Sequence, residues 1–128
     1  MSKIVLDASA LLAVLNQEPG AEKLTPELLG EGVASTVNLA EVQTKLVREG
    51  ADPDEAWDLA IASVPRAEPF TSEHAKIAGS IVKQTRPLGL SLGDRACLAL
   101  AVALKAPVYT TDGEWKRLKL GIGIHVIR

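Results

Sequence analysis

The apolar residues of this chain fall into short runs separated by longer stretches of helical periodicity. Ile4-Val5-Leu6, Val33 to Thr36, Arg66 to Phe70, Pro107 to Thr111 and Gly123 to Ile127 read as strands. A helix-length segment stands between each strand and the next, so none of these strands can be joined by a tight hairpin. Strands connected in this way pair in parallel, through right-handed crossovers that lay helices on both faces of the sheet. The expected fold is α/β: a three-layer α/β/α sandwich around a mainly parallel sheet of about five strands.

The connecting segments carry their own start and stop signals. Ala8 to Asn16 continues from the first strand as a helix and is stopped by Glu18-Pro19-Gly20; Pro26 suits the first turn of a second, short helix. Leu39, Val42, Leu46 and Val47 share one face of a helix spanning Leu39 to Glu49, and Gly50 ends it. Asp52-Pro53 opens a helix to about Val64, Thr71 caps one that runs through Gln84, and a short helix covers Glu114 to Leu118. Leu92 to Lys105 is apolar nearly all round, as befits a helix buried against a sheet. Pro69 weakens the third strand and places it at an edge.

At 128 residues the chain has the length of a single domain, taken as residues 1–128, with 47% hydrophobic and 23% charged residues. Its longest apolar stretch, Ala96 to Leu104, is far too short for a bilayer, and Met1-Ser2-Lys3 leads into a strand rather than a signal peptide. A cytoplasmic protein with no membrane role is expected. The single Cys97 cannot form an internal disulfide, and its apolar neighbours mark it as a buried side chain. The net charge of −2 supplies no general attraction to nucleic acid. Phe70, Tyr109, Trp57 and Trp115 are the whole aromatic set, too few for a platform on which several bases stack.

Four acids stand at element boundaries: Asp7 after the first strand, Glu41 and Asp94 in the first turns of helices, and Asp112 after the fourth strand. Each has an ordinary local use. Asp7 can cap the helix that follows, Glu41 can complete a capping box with Asn38 and Asp94 one with Ser91, and Asp112-Gly113 is a common turn pair. Topology gives them a second use. Open parallel sheets bind ligands beyond the carboxyl ends of their strands, where the strand order reverses, and helices that follow strands begin on that same edge. Four converging carboxylates repel one another by about 4 kcal/mol per close pair at an effective dielectric of about 20, so they must protonate or recruit a cation. All-oxygen ligation selects Mg²⁺ or Mn²⁺ over zinc.

The run IVLDASALL, then Asn38-Leu39-Ala40-Glu41, then LSLGDRA at 90–96, and finally Tyr109-Thr110-Thr111-Asp112 followed by Trp115, together resemble the PIN domain family, and within it the VapC-type toxins of type II toxin-antitoxin systems. The resemblance spans essentially the whole chain. It implies a PIN-like sandwich and an endoribonuclease dependent on Mg²⁺ (or Mn²⁺), with Asp7, Glu41, Asp94 and Asp112 as catalytic and metal-holding acids. Ser9 and Thr110 match the family's polar positions beside the first and fourth acids and would support the site or position substrate; Arg95, next to Asp94, is the first basic residue to test against phosphate. Trp115 would be a core anchor. The implied chemistry is attack of a cation-activated water on an RNA phosphodiester, with no histidine required. The implied partners are an RNA substrate, a cognate antitoxin protein and a second copy of the chain in a homodimer.

Two other readings use the same residues. Gly89-Leu90-Ser91-Leu92-Gly93 has the spacing of a nucleophile elbow, and Ser91, Asp112 and His125 follow the order of a serine hydrolase triad; Arg86-Pro87, however, breaks the chain where that elbow requires a strand. A receiver-like signalling module would also bind Mg²⁺ through acids, but it wants a phospho-accepting aspartate after the third strand, where this chain has Glu68-Pro69-Phe70.

Overall fold

The computed structural model describes residues 2–128. Five strands form one sheet: β1 (Ile4–Leu6), β2 (Gly32–Ser35), β3 (Arg66–Glu68), β4 (Val108–Thr110) and β5 (Ile124–Val126), in the order β3-β2-β1-β4-β5. Every pairing is parallel, with Val5 opposite Val33 on one side and Val108 on the other. The helices are α1 (Ala8–Leu15), α2 (Pro26–Leu29), α3 (Thr36–Arg48), α4 (Pro53–Ala62), α5 (Ser72–Ser80), α6 (Val82–Thr85) and α7 (Leu92–Leu104). Among the described residues, no helix is long and apolar enough to cross a membrane.

The two cores follow from the period of two along β1. Ile4 and Leu6 face α1, α3 and α4 and pack with Leu11, Leu39, Val42 and Ala60; Val5 faces the other way and packs with Cys97, Leu98, Leu100 and Trp115 beneath α7. The result is the α/β/α sandwich expected from the alternation of strands and helices. The chain builds outward from β1 to β2 and β3, then crosses back to place β4 on the other side of β1. The strand order therefore reverses between β1 and β4, and a crevice opens beyond their carboxyl ends. This order also differs from the 2-1-3-4-5 arrangement of receiver domains.

Several boundaries differ from the sequence reading. The helix expected from Leu39 begins at Thr36, because the Ser35 side chain accepts the Val37 N–H and opens the helix directly from β2. Asn38 and Glu41 are therefore three residues apart inside a helix, and Glu41 sits in the second turn, not the first. The helix expected from Thr71 to Gln84 does start at a Thr71 cap, but it breaks at Ile81 into α5 and α6. Gly79-Ser80 precedes the break, and the Ser80 hydroxyl donates to the Ile77 carbonyl, a Gly/Ser pair of the kind that bends helices. Pro69 ends β3 at Glu68, at the sheet edge as expected. His74, in the first turn of α5, is buried, with no hydrogen bond to its Nδ1 among the described residues.

Candidate functional site

Asp7 ends β1 and caps α1, and three donors fix its carboxylate. Oδ1 accepts from Ser9 Oγ (2.7 Å) and the Ala10 N–H (2.8 Å), and Oδ2 accepts from Thr110 Oγ1 (2.6 Å) at the end of β4. Thr110 is wholly buried, and its hydroxyl also accepts the Asp112 N–H; Ser9 Oγ accepts the Thr111 N–H. Ser9 and Thr110 therefore tie the carboxyl ends of β1 and β4 together around Asp7. The Asp7 side chain is nonetheless out of water, and burial raises its pKa to about 6 against the opposing pull of those hydrogen bonds, with the charge of Asp94 adding to the rise.

Glu41 comes to the same edge from α3. Asn38 donates from Nδ2 to Glu41 Oε1 (2.8 Å) and to the Gly93 carbonyl (3.0 Å), so it clamps α3 to the first turn of α7. The fit depends on glycine: a methyl on Gly93 would land on the Glu41 carboxylate, 2.7 Å from Oε1 and closer still to Oε2. Burial also raises the pKa of Glu41, offset in part by the Asn38 hydrogen bond, and Asp94 again pushes in the upward direction. Asn38 is buried, and its Oδ1 has no partner among the described residues. Asn38 and Gly93 are the functional residues that the sequence reading undervalued. A glycine inside a helix's first turn, one residue before an acid, is the signal that marks such a close approach.

Asp94 does complete a capping box with Ser91: Oδ2 accepts the Ser91 N–H (3.0 Å), and Ser91 Oγ accepts the Asp94 N–H. Its charge is felt at Asp7 and at Glu41, and all three raise the thiol pKa of buried Cys97, where burial is the leading cause. These three carboxylates form one electrostatic group. Asp112 stands apart in detail. Its backbone joins the Thr110 network, while its exposed carboxylate accepts the Glu114 N–H and caps a 3₁₀ turn. Arg95 does not face the acids: its Nη1 donates to the Ala78 carbonyl of α5.

Among the described residues, none of the four acids forms an ion pair with a Lys, Arg or His. Nor do three such acidic, imidazole or thiol groups stand close enough to hold a metal ion without side-chain movement. The donor set still fits a hard divalent cation. It consists of carboxylate oxygens, it is electrostatically frustrated, and the cradle around Glu41 leaves no room for a larger residue at 93.

The hydrolase arrangement is not formed. Ser91 follows a 3₁₀ turn rather than a strand and serves as a helix cap, while the His125 ring stacks on Tyr109 at 4.6 Å. Trp115 is buried in the core beneath α7, as an anchor should be.

Comparison with solved structures finds the same fold in a chain of DNA-bound VapBC from Salmonella typhimurium, 17% identical over 100% of both chains with a TM-score of 0.76. VapBC2 from Rickettsia felis, bound to a DNA fragment from its promoter, is 19% identical over 98% of each chain with a TM-score of 0.73. VapC20 from Mycobacterium tuberculosis, a sarcin-ricin loop cleaving toxin, is 22% identical over 89% of this chain and 93% of its own, with a TM-score of 0.74. Comparison with curated protein sequences finds no match. The PIN domain family model matches residues 4–120, nearly the whole sheet and all seven helices, and the chain therefore belongs to the PIN domain family.

Proposed function

We propose that this chain is a divalent-cation-dependent endoribonuclease and acts as the toxin of a toxin-antitoxin pair in the cytoplasm. The observation that carries the nuclease reading is the group of Asp7, Glu41 and Asp94, in which the charge of Asp94 is felt at both other carboxylates and none of the three has a basic partner among the described residues, at the strand-order reversal. Asp7, Glu41 and Asp94 would hold Mg²⁺ or Mn²⁺, with Asp112 completing the set by a turn of its side chain. Such a cation, when bound, supplies activation of water and stabilisation of charge on phosphate oxygens. The chain's own residues do the positioning. Ser9 and Thr110 hold the Asp7 carboxylate against rotation, Asn38 holds Glu41, and the α7 capping box holds Asp94. The reaction splits a P–O bond of RNA by addition of water, which leaves one phosphate-ended and one hydroxyl-ended product.

The likeness to VapBC chains supports an antitoxin as protein partner, one that would cover the acid crevice with a positive side chain. Exposed Val47 on α3 and Leu59 and Ile61 on α4 support a homodimer. Two measurements test the proposal. Purified wild type should cleave RNA in the presence of Mg²⁺ or Mn²⁺ and Asp7→Asn should not; strong expression of wild type alone should arrest growth, with relief by its neighbouring reading frame. Growth unaffected by soluble wild type, and no different from Asp7→Asn, would overturn the toxin reading. Equal RNA cleavage by the folded Asp7→Asn variant would overturn the nuclease site.

A further inference from the structure

A polyanion can approach a cluster of acids only if nearby cations offset the repulsion. A cavity of about 380 Å³ opens against Glu41 and is lined further by Thr44, Lys45 and Arg48. Positions 41, 44, 45 and 48 share one face of α3, the face running away from the acid group toward the amino-terminal edge of the sheet. Along the helix axis Lys45 lies roughly 6 Å and Arg48 roughly 10 Å from Glu41. Resting on the nuclease reading above, we propose that this face is the phosphate track of the RNA site, in which Lys45 and Arg48 hold backbone phosphates next to the one being cleaved.

Both cations are available for that role. Lys45 has only a long, exposed pair with Glu49 at 3.9 Å, an interaction weak enough to exchange for a phosphate. Arg48 has no ion pair among the described residues, whereas Arg66, Arg117 and Arg128 are each committed to a glutamate and Arg95 to the Ala78 carbonyl. Thr44 forms wall rather than ligand, because its hydroxyl already donates to the Ala40 carbonyl (2.7 Å). The opposite side of α3 is anchored by wholly buried Leu39 and Val42, so the two cations stand on a rigid element. Phosphate tracking by point charge also suits a chain with too few aromatics for base stacking.

The test compares wild type, Lys45→Gln/Arg48→Gln and a charge-matched control, Lys23→Gln/Lys76→Gln, whose two sites are exposed and outside the crevice. Each cleaves a fluorescein-labelled single-stranded oligoribonucleotide with Mn²⁺ over a range of KCl. The α3 variant should raise KM on the order of tenfold with kcat nearly unchanged, and its log kcat/KM should fall less steeply with log salt, by roughly 1.4 for two lost contacts. The control should keep the wild-type slope. An α3 variant matching the control in KM and slope, while wild type cleaves, would overturn the phosphate track alone. A wild type that cleaves no RNA would overturn the nuclease reading itself and the track with it.

Discussion

The Asp7 carboxylate is buried and has no basic partner among the described residues, which makes its charge costly despite the three hydrogen bonds it accepts. Its pKa rises from 3.8 to about 6 on folding. Between those values the unfolded chain gives up the proton while the folded chain keeps it, so cation-free stability falls as pH rises through that window and levels off above it. The full effect is about 3 kcal/mol at most, and the upward shift at Glu41 acts in the same direction. Asp7→Asn should therefore be more stable than wild type at pH 7 in EDTA, by about 1–3 kcal/mol, with the gap closing below about pH 4; urea unfolding at the two pH values measures it. A gap of the same size at both would contradict the assigned cause. Thr110→Val removes the hydroxyl that serves both Asp7 and Asp112 and should cost about 1–3 kcal/mol, because it leaves two polar groups short of a partner. An unchanged urea midpoint would show that the β1–β4 tie is not stabilising.

At the scale of elements, the site is a junction of α3 with α7, and Gly93 is its closest point. Gly93→Ala replaces a helical glycine by the best helix former, worth up to about 1 kcal/mol in favour of folding. The added methyl, however, falls on the end of a flexible side chain, so Glu41 moves and the fold survives. The expected variant unfolds within about 1 kcal/mol of wild type and loses cleavage by on the order of a hundredfold, the range typical of displaced site geometry. Wild-type activity would show that Glu41 need not stay where Asn38 holds it. This junction was only half legible in the sequence. The Ser91–Asp94 box follows from adjacent residues and was read correctly, whereas the Asn38 bridge to Gly93 spans 55 positions and leaves no local trace. The start of α3 differs from the sequence expectation for a similar reason: β-branched Val33 and Thr36 bracket the segment as a strand would, and the Ser35 cap that ends the strand is also compatible with continuing it.

At the scale of the molecule, the all-parallel sheet was legible because strand spacing forbids hairpins, and the edge position of β3 because Pro69 interrupts it. That strand ends and helix starts share one edge of a parallel sheet was legible as topology, and it predicts one site for Asp7, Glu41, Asp94 and Asp112; the charge of Asp94 is felt at Asp7 and Glu41, while the Asp112 carboxylate caps a 3₁₀ turn. The side-chain directions of Asp112 and Arg95 were not legible, because each is set by a neighbour on another element or turn. Filling the site with a cation should offset the cost of burying the Asp7 and Glu41 charges and the repulsion from Asp94: Mn²⁺ at a hundred times its dissociation constant should stabilise wild type by about 2.7 kcal/mol and leave Asp7→Asn nearly unmoved in a thermal scan. Equal shifts in the two proteins would place the ion elsewhere. The most direct test of the account is RNA cleavage by purified wild type and Asp94→Asn, first with divalent cations removed by EDTA and then with Mg²⁺ or Mn²⁺ restored. Wild type should lose cleavage on chelation and regain it on restoration, while folded Asp94→Asn stays inactive throughout. Cleavage that persists in EDTA, or that Asp94→Asn carries out as well as wild type, would contradict it.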